Sequence, residues 1–83
     1  MASTRRIVTL FTKAGQCSLC DDAKEALQRV QKRVVFQVKE VDILQNPSWK
    51  RLYQYDIPVI HVDDKLVQKH RVDEEKLYKI LTN

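Results

Sequence analysis

The chain is poor in cysteine, glycine and proline, with two, one and two of these among its 83 residues. Two cysteines exclude the disulfide-dense scaffold of many small secreted domains, which carries four or more. No internal repeat, linker or low-complexity segment is visible, so one domain is expected to fill residues 1–83. No apolar run approaches the ~20 residues that span a bilayer, and no membrane partner is expected. Basic residues exceed acidic ones only by 15 to 11, a net charge of +4. The cations form no block, so nucleic acid is not expected as a partner. The start, MASTRRIVTLF, has too few apolar residues for a secretory signal. The expectation is an untargeted cytoplasmic protein, with a mitochondrial address as the alternative reading of that basic, serine-containing start.

Composition is that of a folded domain, with 43% hydrophobic and 31% charged residues. RRIVTLFT, residues 5–12, is β-branched and nearly continuously apolar, the pattern of a strand buried on both faces. KAGQ follows as a loop holding the single glycine. From Leu19 to Lys32, Cys20, Ala23, Ala26, Leu27 and Val30 recur at spacings of three and four, an amphipathic helix. Glu25 and Arg29 on its other face are spaced for an i,i+4 pair. Residues 34–43 read as a second strand whose apolar parity shifts between Val38 and Val41. Asn46 and Pro47 then open a short helix as N-cap and first helical residue. Trp49, Leu52 and Tyr53 form its apolar side. IPVIHV and KLVQKHRV make an antiparallel hairpin around Asp63 and Asp64. Asp73 caps a last helix, with Leu77, Ile80 and Leu81 as its buried stripe. The order β-α-β-α-β-β-α predicts an α/β fold with a four-stranded mixed sheet, its first two strands parallel through a right-handed crossover.

Cys17 and Cys20 stand where the first strand has led into a helix. Unpaired N–H groups and the helix dipole favour the thiolate of the first cysteine, the form that attacks disulfides. Lys13 favours it too, whereas Asp21 and Asp22 oppose it, so a modest lowering of the Cys17 pKa is expected. Cys20 lies one turn inward on the apolar stripe, shielded and placed to resolve a mixed disulfide. Three other readings stay open. The pair could be a structural staple, although closing so short a loop stabilises by only about 2 kcal/mol. It could be half a zinc site with His61 and His70, whose separation of eight exceeds the usual spacing and which read as surface residues. It could simply pack. No resident metal is expected, and redox chemistry leads.

The segments LFTKAGQCSLC, VKEVDI and DIPVIHVDDK, with the last helix, resemble the glutaredoxins and the wider thioredoxin-like fold over nearly the whole chain. C-x-L-C-D-x-A after LFT, with Y-x-x-x-I-P-V from Tyr53 to Val59, is closest to a small glutaredoxin-like branch. The resemblance implies Cys17 as nucleophile, Cys20 as resolving thiol and a redox disulfide between them. It also implies substrate binding by Lys13, Ile57, a cis Pro58 and Lys69. Two departures stand out. Ser18 and Leu19 replace the usual proline and aromatic, and Gln68-Lys69 stands near the place of a Gly-Gly that admits glutathione. The expected activity is thiol–disulfide exchange by a monomer on a disulfide-bearing protein or small thiol. No cofactor would be bound, glutathione is a doubtful co-substrate, and the reductant is unnamed. The alternative is a non-catalytic binding or redox-sensing module on the same fold, and an iron–sulfur dimer comes third.

Overall fold

The computed structural model describes residues 6–13, 15 and 17–82. Arg5 of the expected first strand, and Ala14 and Gln16 of the loop, lie outside the described residues. The elements are β1 (Arg6–Thr12), α1 (Ser18–Gln31), β2 (Phe36–Asp42), a 3-10 turn (Ile43–Gln45), α2 (Pro47–Tyr53), β3 (Val59–Val62), β4 (Lys65–Lys69) and α3 (Glu74–Thr82). The sheet order is β2-β1-β3-β4, with β1 and β2 parallel and the other two pairings antiparallel.

β1 is internal to the sheet, which explains its continuous apolar run. Val8 and Leu10 join Ala23, Leu27 and Val30 of α1 and Leu77 and Leu81 of α3 in one core. Phe11 faces the other way and packs with Ile43, Tyr53 and Val59, with Trp49 against them. The sheet thus separates α1 and α3 on one face from α2 on the other. The parity shift in β2 has the same cause. Its register against β1 runs without interruption, so Val38 borders Leu10 and Leu27 while Val41 packs beside Phe11.

Both hairpin aspartates have positive φ, 51° at Asp63 and 69° at Asp64. That is the backbone a two-residue turn between antiparallel strands requires, and aspartate tolerates it. Asp63 also ties the turn to β1. Its carboxylate accepts the Ile7 N–H at 2.9 Å and pairs with Arg6, and these bonds hold its pKa below the ordinary carboxylate value.

Several sequence expectations give way to tertiary contacts. Arg29 pairs with Glu74 of α3 at 2.9 Å rather than with Glu25, because α1 and α3 lie side by side. Leu52 is 60% exposed and contributes little to the core. Asn46 holds the N-cap position of α2, but its side chain makes no capping bond. It donates back to the Asp42 carbonyl at 2.9 Å instead. Residues 34 and 35 precede β2, and Val35 is 71% exposed. β4 stops at Lys69 rather than Val72, because His70 has a φ of 70° that breaks the extended run.

Candidate active site

Cys17 is the N-cap residue of α1, with extended backbone (φ −145°, ψ 100°). Its carbonyl accepts the N–H groups of Cys20 and Asp21, at 3.2 and 3.4 Å. Its sulfur accepts the same Cys20 N–H at 3.1 Å. A sulfur here occupies the place of a capping oxygen, facing donors that α1 leaves unpaired. Cys17 and Cys20 are joined as a disulfide with Cα atoms 5.2 Å apart. Their environments differ: Cys20 is 1% exposed on the apolar stripe, whereas Cys17 is half-buried. One sulfur can meet a substrate, and the other is packed behind it.

The sheet register brings the second half of the site to the same end. Phe11 pairs with Val59, so the end of β1, leading through half-buried Lys13 to Cys17, lies beside the start of β3. There the Ile57–Pro58 peptide is cis, Pro58 is fully buried and Ile57 half-buried. The Pro58 carbonyl accepts the His70 N–H at 2.7 Å. Lys69 stands opposite Val59 in the ladder, and its ammonium meets Asp56 at 3.4 Å. His70 Nε2 lies 3.9 Å from the same carboxylate. Lys69 is therefore at the right end of the sheet, already compensated by an acid.

Gln68 was legible only as a departure from a glycine. It is a buried polar clamp. Its carboxamide oxygen accepts the Asp73 N–H at 3.1 Å, and its nitrogen donates to the Asp73 carbonyl at 3.2 Å. Asp73 in turn caps α3 by accepting the Lys76 N–H at 3.1 Å. The loop from His70 to Val72 is so fixed at both ends. It forms one wall of a cleft of about 290 Å³ whose other wall is α1, starting at Leu19 between the two cysteines.

His61 and His70 do not complete a metal site with the cysteines. Among the described residues, no three side chains of the metal-ligating types cluster. His61 is 8% exposed rather than on the surface. It packs among Phe11, Trp49 and Tyr53, with ring centroids 4.6 to 5.9 Å from its own. Its Nε2 shares a 2.9 Å hydrogen bond with the Tyr53 hydroxyl. Burial pushes its pKa below the ordinary value of 6.5, against an opposing pull from Asp64.

A four-stranded mixed sheet in the order β2-β1-β3-β4, with a Cys-x-x-Cys disulfide at the start of the first helix, is the thioredoxin-like fold. The chain belongs to the Glutaredoxin-like domain (DUF836) family, whose model matches residues 7–82. It is 36% identical to the Glutaredoxin-like protein YDR286C homolog of Dictyostelium discoideum over 77 residues, 86% of this chain and 70% of that protein. Protein Ne2328 from Nitrosomonas europaea shares the fold with a TM-score of 0.84 at 24% identity, covering 98% of this chain and 96% of that one. A malaria parasite thioredoxin-2 does so at 0.71 and 20% identity, covering 94% and 82%.

Sequence reasoning found the cysteine pair and the Ile57–Pro58 segment. It missed Asp56 and Arg71, the bonds that Gln68 makes to Asp73, and the place of His70 in the wall facing α1. No periodicity marks a lone buried glutamine, and nothing in the spacing joins Asp56 to Lys69.

Proposed function

We propose that this protein carries out thiol–disulfide exchange, with Cys17 as the nucleophile and Cys20 as the resolving thiol. The observation that carries the proposal is the asymmetry of the pair. The Cys17 sulfur sits at the start of α1 and accepts a backbone N–H at 3.1 Å, while Cys20 is packed away. An N–H aimed at sulfur and the positive end of the helix favour thiolate over thiol at that position.

In the reduced protein the Cys17 thiolate attacks one sulfur of a substrate disulfide. The substrate S–S bond breaks, a Cys17–substrate disulfide forms, and the departing substrate thiolate takes a proton. The Cys20 thiol gives up its proton and attacks the Cys17 sulfur, closing the Cys17–Cys20 bond and releasing the second substrate thiol. The substrate gains two electrons and two protons, and the protein dithiol loses the same. An external thiol reductant then returns the protein to its dithiol and is itself oxidised to a disulfide. Lys13 and the Ile57–Pro58 backbone, at the same end of the sheet, would hold an extended substrate chain by strand-like pairing. Lys69 would do so only in competition with Asp56.

Substitution by serine at each cysteine tests the division of roles. Cys20→Ser, reduced and mixed with insulin as the disulfide probe, should accumulate a covalent mixed disulfide visible by intact mass. Cys17→Ser should accumulate none. A mixed disulfide on Cys17→Ser, or on neither variant, would overturn the assignment.

A further inference from the structure

α2 has seven residues, about 10 Å of helix, and leaves part of its face of the sheet uncovered. An open cleft of about 250 Å³ remains beside Trp49. Along its floor Lys39, Thr9 and His61 are ladder partners on three neighbouring strands. Two strand spacings make that row about 10 Å long. Phe11 and half-buried Trp49 form an aromatic side. Lys39 on β2 and Asp64 in the β3–β4 turn stand at opposite ends, with β1 between them. Both are exposed, and the ion pairs among the described residues include neither. Thr9 and His61 are each more than nine-tenths buried. Among the described residues the Thr9 hydroxyl makes no hydrogen bond, and the His61 ring makes one, through Nε2 to Tyr53. No buried side-chain nitrogen or oxygen there lacks a partner, so the Thr9 hydroxyl and His61 Nδ1 open onto the cleft.

We propose that this cleft binds a small aromatic carboxylate that carries an ammonium at the other end of its ring. The proposal is independent of the exchange reaction, because the cleft lies on the sheet face opposite α1 and Cys20. Its volume falls below the ~300–1,000 Å³ of most ligand pockets, which suits one ring with two short substituents. The ligand carboxylate meets the Lys39 ammonium and accepts the Thr9 hydroxyl. The ligand ammonium meets Asp64 and donates to His61 Nδ1, while Nε2–H donates to the Tyr53 oxygen. Burial favours the neutral imidazole, which accepts from a cation where an imidazolium would repel it. The ring lies against Phe11 and Trp49, a surface that a flat π-face fits better than a puckered one. Opposite charges at the two ends select a zwitterion over a simple acid or a simple amine.

The probe is para-(aminomethyl)benzoate, titrated into the oxidised protein and followed by proton–nitrogen NMR. Trp49 is the only tryptophan in the chain, so its indole N–H is a single, unambiguous signal at the site. That signal and the Thr9 and His61 amides should shift saturably, with a dissociation constant on the order of 1 mM for so small a ligand. The Cys17 and Cys20 amides should stay in place. Benzoate, benzylamine and the saturated cyclohexane counterpart of the probe should each bind at least about fivefold more weakly, because each lacks one of the three recognised features. Lys39→Met should weaken the probe and benzoate about fivefold and leave benzylamine unchanged. Asp64→Asn, which keeps a residue tolerant of that turn's backbone, should weaken the probe and benzylamine and leave benzoate unchanged. Both positions are exposed, so each variant should keep the parent's dispersed spectrum. No saturable shift at Trp49, equal binding of the cyclohexane compound, or a probe affinity unchanged in both variants would overturn the site.

Discussion

Gln68 and Asp73 hold each other through both polar groups of one peptide residue. The Gln68 side chain accepts the Asp73 N–H at 3.1 Å and donates to its carbonyl at 3.2 Å, and Gln68 is 8% exposed. The clamp joins the end of the sheet to the start of α3 across a loop that would otherwise have to find its own path. Gln68→Ala leaves the part-buried Asp73 N–H without a partner, while the Asp73 carbonyl keeps the Leu77 N–H at 3.0 Å, so it should cost about 1 kcal/mol of stability. Urea denaturation of the two proteins measures this, and a cost indistinguishable from zero would show that the loop does not depend on the clamp.

The same residue bears on glutathione. Gln68-Lys69 stands near the place of the glycine pair of glutaredoxins, with the Gln68 side chain held by Asp73 and the Lys69 ammonium 3.4 Å from Asp56. Glutathione should therefore be a poor co-substrate. Glutathione-coupled reduction of a small mixed disulfide, run beside a glutaredoxin that carries the glycine pair, checks it. Turnover comparable to that enzyme would contradict the expectation.

His61 should make stability depend on pH. Burial favours its neutral form, and its folded-state pKa lies below 6.5. The unfolded chain then binds the proton first, so stability falls as pH drops below about 6.5 and through the lowered folded-state value. Asp64 and Lys39 line the same cleft, and Tyr53 holds Nε2. His61→Gln keeps a polar group near Tyr53 and removes the titration. Its unfolding free energy, followed from neutral pH down to about 5, should fall less steeply than that of the parent. Parallel slopes would mean that His61 does not carry the dependence.

The features legible in the sequence were those written in local periodicity. The α1 stripe appears because a helix buries every third or fourth residue, and Cys20, Ala23, Ala26, Leu27 and Val30 are all buried. The run from Val8 to Phe11 reports an internal strand for the same kind of reason. The Asp63-Asp64 turn declares itself because so few residue types accept its backbone. What stayed hidden depends on partners far apart in the chain. Arg29 had Glu25 at helical spacing, yet chose Glu74, 45 residues away. Nothing near His70 announces a positive φ, and that single torsion ends β4 three residues early. His61 reads as a hairpin surface residue until α2 lays Trp49 and Tyr53 against it.

The central claim is that the two cysteines hold different positions and so do different work. Brief iodoacetamide treatment of the fully reduced protein near pH 7, followed by mass mapping of the labelled peptides, tests it most directly. Cys17, half-buried at the start of α1, should be alkylated on the order of ten times faster than Cys20, whose exposure is 1%. Equal rates, or faster labelling of Cys20, would contradict the account.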